Sequence, residues 1–351
     1  MTQLTSLVEA AFAAGASDLH LEPGLPPALR VDGRLQIQAV PLSASTVLAM
    51  AREAAGDGWD RFIEQRSLDL SRSLGGVRCR INVLRSRRGA GLAIRLLRPT
   101  VAGLDALNLH PSLAELSALP HGLVIVSGPT GSGKSSTVAA LIEEINTSRA
   151  EHILTIEQPV EYWLRSQRSL IRQREVGADT PSFEQGLLDA LREDPDVIVV
   201  GEMRRPETMR LTLDAAETGH LVFTTVHAST VAEALHRVIS AFPAEAREGV
   251  QAQLAGALAA VVCQRLVWRP ELGIRVPECS ILRTSEAARA CIRQGSLTQL
   301  PTILETGASH GSWTVERYRR WTDARPRFHV PARTAPGPPP DDEIARPLPE
   351  L

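Results

Sequence analysis

The chain has 351 residues, of which 43% are hydrophobic and 22% charged, and a formal net charge of −2. Those values fit an ordinary globular protein of two domains and give no overall pull towards nucleic acid or anionic membrane. Its four cysteines, Cys79, Cys263, Cys279 and Cys291, form no C-x-x-C pair, which argues against a zinc knuckle or a disulfide framework and for a reducing, cytosolic setting.

The opening MTQLTSLVEAAFAAG lacks a basic n-region and carries Glu9. It reads as an amphipathic helix ending near Gly15 rather than a signal peptide. Leu29–Val31, Asp32-Gly33 and Arg34–Ile37 predict a hairpin on a type I′ turn. Val77 to Leu84 and Leu92 to Leu97 predict two more strands around a glycine turn at Gly89–Gly91. Residues 1–97 are therefore expected to form a small α+β domain. Eight arginines and no acid lie between Ser71 and Arg98. Alternation puts Arg78, Arg80 and Asn82 on one strand face, opposite Val77, Cys79, Ile81 and Val83, with Arg95 on the next strand. Such a run needs anions: a triphosphate on a neighbouring subunit, or nucleic-acid phosphate. A solvated basic face is the plainer alternative, and no aromatic interleaves the run to favour single-strand binding.

Residues 98–120, with Pro99, Pro111 and Pro120, read as a linker. From 121 to 324 strand and helix patterns alternate. Strands are predicted at Leu123–Val126, Ile153–Ile156, Val197–Val200 and Leu221–Thr225, and helices at Thr137–Ile145, Phe183–Arg192 and Arg205–Thr218. That alternation predicts a parallel sheet covered by helices. Val250–Trp268 is apolar but holds Gln251, Gln253, Gln264 and Arg265, so it reads as a buried helix and not a membrane span. The proline-dense stretch 325–351 reads as a disordered tail.

The chemistry centres on GPTGSGKSS, from Gly128 to Ser136, between a predicted strand and a predicted helix. It fits G-x-x-x-x-G-K-[ST] at every fixed position. Gly128, Pro129, Thr130, Gly131, Ser132 and Gly133 would cradle a phosphate chain with backbone N–H groups, ahead of Lys134, Ser135 and Ser136. Lys134 would reach the β- and γ-phosphates of ATP and Ser135 would ligate Mg²⁺. The strand Val197–Val200 runs into Gly201 and Glu202; Glu202 is the candidate general base for the attacking water. A strand delivers Glu157 to the same edge, where it would hold the Mg²⁺ hydration shell or assist Glu202. Glu161 is a second acid there or a solvated one. His220 and His227 bracket the strand Leu221–Thr225. His227 falls at the C-terminal end, which faces phosphate in doubly wound sheets, and is the candidate sensor of the γ-phosphate. Either histidine also reads as an ordinary structural one.

Taken together, ASDLHLEPGLPPALRVDGRL, GPTGSGKSS, HILTIEQPVEY, ALREDPDVIVVGEMRRPET and AAETGHLVFTTVHAST resemble the type II/IV secretion ATPase superfamily, most nearly its pilus-retraction branch. The resemblance runs from about Gly15 to about Ile303. It implies a PAS-like N-terminal domain and a RecA-like P-loop ATPase domain. It implies a homohexamer with ATP between subunits, on the cytoplasmic side of the inner membrane and docked to a polytopic platform protein. In that family's terms Lys134 and Ser135 are the Walker A pair, Glu157 belongs to the acidic box, Glu202 is the catalytic glutamate, and His220 and His227 form the His box. Arg80 and Arg95 match arginines that reach the nucleotide. The likeness has departures: Gln158 and Arg205 stand where aspartates are usual, and AARACIR, Ala287 to Arg293, keeps the two arginines of the retraction motif without its Asn and Leu. A four-cysteine zinc module and extra N-terminal domains, common in extension and secretion ATPases, are absent, which favours retraction. The alternatives are a pilus-extension or type II secretion ATPase, a nucleic-acid translocase on a RecA-like core, and a binding-only regulator.

Overall fold

The computed structural model describes residues 2–31, 34–97 and 101–330. They divide into two units. The first takes in the described residues of Met1–Thr100 with Glu161–Trp163; the second comprises Val101–Val160 and Leu164–Val330.

In the first unit α1 (Gln3–Ala13) leads into β1 (Ala16–Leu21), β2 (Ala28–Val31) and β3 (Arg34–Ile37). The turn between β2 and β3 lies outside the described residues. α2 (Ala44–Ala55), capped by Ser43, and α3 (Trp59–Gln65) precede β4 (Ser67–Leu74), β5 (Val77–Ser86) and β6 (Gly89–Leu96). These strands form one antiparallel sheet in the order β3-β2-β1-β6-β5-β4. Val77, Cys79, Ile81 and Val83 face its core, as the alternation predicts. The turn into β6 is made by Arg87 and Arg88, and Gly89–Gly91 belong to the strand. Glycine there serves close approach: a Cβ on Gly91 would come 2.6 Å from the Glu22 carboxylate.

The second unit is a sheet layered between helices. β7 (Gly122–Ser127) is followed by α4 (Lys134–Ser148), β8 (His152–Glu157), β9 (Leu170–Glu175), α5 (Phe183–Ala190), β10 (Val197–Val200), α6 (Pro206–Glu217) and β11 (Leu221–Val226). Then come α7 (Val231–Ser240), α8 (Arg247–Ala257), β12 (Leu258–Arg269), β13 (Ile274–Arg283), α9 (Glu286–Arg293), α10 (Leu300–Thr306) and α11 (Val315–Asp323). The order is β13-β12-β7-β11-β10-β8-β9, parallel except for the β12–β13 hairpin. β7, β10 and β11 are buried along their whole length, which is why they read as near-continuous apolar runs and not as alternating ones. Leu123 and Ile125 pack into one core layer, and Val124 and Val126 into the layer on the other face.

Three expectations change here. Val250–Trp268 is not one helix: α8 stops at Ala257 and the β-branched run Val261-Val262 continues as β12, paired between β7 and β13. The stretch expected as a linker sends Leu104, Leu109, Leu113 and Leu116 into the core of the second unit. Nor is 325–330 loose. Asn108 donates from Nδ2 to the His329 carbonyl at 2.9 Å and accepts from the His329 N–H at 2.8 Å, and Arg325 pairs with Asp105; residues 331–351 lie outside the described ones. AARACIR forms most of α9. It buries Ala288, Cys291 and Ile292, while Arg289 donates to the Ala255 and Gly256 carbonyls that end α8.

Candidate active site

At the end of β7 the chain turns through Gly128–Gly133 and re-enters as α4. Gly131 and Gly133 have φ of +77° and +87°, a region that favours glycine. A Cβ on Gly131 would meet nothing within 4 Å, whereas one on Gly128 would stand 2.2 Å from the backbone oxygen of Gln264. Gly131 therefore serves the backbone conformation and not space, whereas Gly128 lets β12 pass close beneath the loop. No side chain caps α4 at Gly133. Its first-turn N–H groups and positive dipole end are thus left for an anion. Ser135 and Ser136 lie in that turn, half-buried; Pro129 and Thr130 are exposed.

Lys134 is only 8% exposed. Its Nζ donates to the Gly128 carbonyl at 2.9 Å and the Pro129 carbonyl at 3.1 Å, so the loop curls around its own ammonium. Nζ also lies 3.4 Å from Nδ1 of His227. His227 follows β11 directly and is held by backbone: the Ser127 hydroxyl donates to the Ala228 carbonyl at 2.7 Å and accepts from the Ala228 N–H at 3.1 Å, and Arg237 donates to the His227 carbonyl. Two hydrogen bonds at the start of α7 fix the next turn. Thr230 accepts from the Glu233 N–H at 3.1 Å, and the Glu233 carboxylate accepts from the Ser229 N–H at 2.9 Å.

The other ring nitrogen of His227, Nε2, lies 3.3 Å from Oε1 of Glu202, whose Oε2 is 2.8 Å from Arg204. The order of donors dictates the tautomer. An ammonium can only donate, so Nδ1 accepts; a carboxylate can only accept, so Nε2 carries the proton. His227 is thus neutral in this row. Burial first, and then the charge of Lys134, hold its pKa below the ordinary value against the pull of Glu202.

Space for a side chain at position 201 is tight. A Cβ on Gly201 would lie 3.3 Å from both the Glu157 Cα and the Ile156 carbonyl oxygen, where β8 and β10 end side by side. The Thr225 hydroxyl donates to the Gly201 carbonyl at 2.6 Å and the Met203 N–H to the Thr225 carbonyl at 3.2 Å, which secures this strand end. Glu157 accepts from the Thr155 hydroxyl at 2.7 Å and from Gln173 at 3.3 Å. With strand order β7-β11-β10-β8, His227, Glu202 and Glu157 stand one, two and three strands from the loop's own strand, at about 4.8 Å per step.

His220 is not part of this group. It precedes β11 at the opposite sheet edge, about 20 Å of strand away, and its Nδ1 lies 2.9 Å from the Ala215 carbonyl and 3.2 Å from the Thr218 hydroxyl. His220 therefore does not bind a nucleotide held by Lys134 of the same chain. Arg80 and Arg95 belong to the first unit, paired opposite each other on β5 and β6. Each has an acid from outside the arginine run: Arg95 meets Asp18 at 3.0 Å, and Arg80 lies 3.8 Å from Glu161.

Several residues at the site escape a reading by motif: Ser127, Thr137, Arg204, Arg237 and Gln264. The Thr137 hydroxyl donates to the Gln264 side-chain oxygen at 2.7 Å, and the Gln264 amide donates to the Ser132 carbonyl at 2.7 Å. Only Gln264 leaves a trace in the sequence, as one of three glutamines in an apolar run.

A buried parallel sheet that brings a glycine loop, a lysine, a neutral histidine and a carboxylate to one edge defines a P-loop nucleoside triphosphatase of RecA-like architecture. The chain belongs to the type II/IV secretion system protein family, whose model it matches over residues 1–298. It is 42% identical over 316 residues to the type IV pilus retraction ATPase PilT of Pseudomonas aeruginosa, covering 89% of this chain and 92% of that one. It is 41% identical over 294 residues to a twitching motility protein of Neisseria gonorrhoeae, covering 83% and 79%. The crystal structure of the pilus retraction motor PilT with bound ADP superposes with a TM-score of 0.80 at 36% identity, over 93% of this chain and 98% of that one.

Proposed function

We propose that this chain is an ATP-hydrolysing motor that powers retraction of a type IV pilus. The row from Lys134 through His227 to Glu202 carries the chemical part of this reading. Lys134 neutralises the β- and γ-phosphates once their oxygens replace the Gly128 and Pro129 carbonyls. Glu202 takes the proton of the water that attacks the γ-phosphate. Phosphate competes with His227 for Lys134, so occupancy of the loop is felt at Glu202 through one imidazole.

The oxygen donors at this edge fit a hard divalent cation. Ser135 is the residue that would hold Mg²⁺, and Glu157, further along the sheet edge, would face its water. The ion supplies charge neutralisation at the phosphate oxygens when bound. Arg80 and Arg95 of one copy serve the nucleotide on the next in a homohexamer. The hexamer docks on a platform protein at the cytoplasmic face of the inner membrane. Among the described residues no helix is long and apolar enough to cross a membrane.

Glu202→Gln tests the reading. Magnesium-dependent ATP hydrolysis by the purified chain should fall on the order of 10²–10⁴-fold while ATP still binds. Wild-type turnover in that variant would remove Glu202 from the mechanism. In cells, loss of the chain should leave pili assembled but not retracted, and unchanged retraction would defeat the assignment.

A further inference from the structure

Gln264 takes no part in the chemistry proposed above, yet it is 4% exposed and lies directly under the phosphate loop. It follows Cys263, the last residue of β12 in register with β7, opposite Ser127. The ladder between the two strands therefore ends where the loop begins, and the next side chain of β12 turns into the loop. A Cβ on Gly133 would stand 2.9 Å from the Gln264 amide nitrogen, so Gly133 leaves the space the amide occupies.

The amide has one possible orientation. The Ser132 carbonyl can only accept, so the Gln264 nitrogen must face it, at 2.7 Å; the Gln264 oxygen then accepts from Thr137 on α4, also at 2.7 Å. Thr137 is fully buried, so its hydroxyl has little else to bond. One side chain thus ties together β12, the loop and the first turns of α4. Across a trans peptide the C=O and the following N–H point in opposite directions. Drawing the Ser132 carbonyl inward turns the Gly133 N–H outward, to the side from which a phosphate approaches.

We infer that Gln264 is a positioning residue for nucleotide binding: held by Thr137, it fixes the Ser132–Gly133 peptide so that the loop presents its N–H donors to phosphate. This rests on reading Gly128–Ser136 as the nucleotide loop. A donor aimed equally at substrate and transition state acts on binding, so the effect falls on KM more than on kcat.

The test measures binding of a fluorescent ADP analogue to the full chain, alongside melting temperature and ATPase kinetics. Gln264→Met keeps the volume and removes both bonds; affinity should fall about tenfold, the scale of one lost hydrogen bond, with KM rising more than kcat falls. Thr137→Val keeps the shape and removes the hydroxyl, whereas Thr137→Ser keeps the hydroxyl and opens a small gap. If the hydroxyl orients Gln264, Val binds more weakly than Ser; a purely space-filling role gives the reverse order. Folded Q264M that binds within twofold of wild type overturns the inference, and so does T137S binding more weakly than T137V. Should Q264M fail to fold, the Thr137 pair decides. A wild-type chain that fails to bind the analogue defeats the nucleotide reading itself, whereas a binding wild type with an indifferent Gln264 defeats only this role.

Discussion

The two edges of the second unit's sheet use the same kinds of residue to different ends. At one edge His220 and His152 bond to backbone: His220 to the Ala215 carbonyl, His152 to the Asp194 carbonyl, with Asp196 accepting from the His152 N–H. At the other edge His227 bonds side chain to side chain, between an ammonium and a carboxylate. The first arrangement ends turns and starts strands. The second leaves charge where α4 begins. In a parallel sheet only the C-terminal edge meets helix N-termini, so only there do dipoles and glycine loops gather anions.

The sharpest way to break this comparison is at Lys134. Lys134→Ala should lower ATP turnover by at least about 10²–10³-fold; a smaller loss in a steady-state assay would mean that the loop's N–H groups alone carry the phosphate. His227→Ala should come next, at about 10²-fold, the lower end for a group acting in proton management. Single-turnover kinetics should show the loss in the chemical step, and a pure binding defect would count against the row.

The pH dependence sharpens the point. His227 has its pKa held below the ordinary 6.5 in the fold, so the neutral row survives as pH falls through that value and is lost below it. The unfolded chain takes up the proton first, so the stability this residue contributes is full above about pH 6.5 and declines as pH falls towards the folded pKa. The pH–rate profile should therefore show an acid limb below pH 6.5, missing from the residual activity of His227→Ala. A limb retained in that variant would assign the titration to another group.

The smallest effect belongs to the other edge. His220→Ala should cost about 1 kcal/mol of stability through its lost backbone bond and leave ATPase rates per folded chain within about twofold. Thermal melting and rate measurements on the same sample check both halves, and a large drop in rate would return His220 to the site.

The phosphate loop was legible because its glycines, lysine and serine are consecutive and lie between a strand and a helix. Glu202 and His227 were legible because each lies just past the C-terminal end of a buried strand, Val197–Val200 and Leu221–Val226. His220 enters a site reading only through the family resemblance; its place before β11 already puts it at the sheet edge away from phosphate. Gln264 is illegible as a site residue because its partners Ser132 and Thr137 lie 132 and 127 positions away, and nothing in the sequence sets it apart from Gln251 and Gln253 in the same apolar stretch. The same stretch reads as a helix because a fully buried strand and a buried helix show the same composition; β-branched Val261 and Val262 are the cue to the strand.

The hairpin of β12 and β13 has an optical consequence. β12 does not stop beneath the loop but runs on from Gln264 to Arg269, and Trp268 near its end is 56% exposed. A partly solvated indole four residues along the same strand is placed to act as an intrinsic fluorophore for events at the loop. The difference in emission between wild type and Trp268→Phe, recorded while nucleotide is titrated in, would follow strand movement without any attached dye.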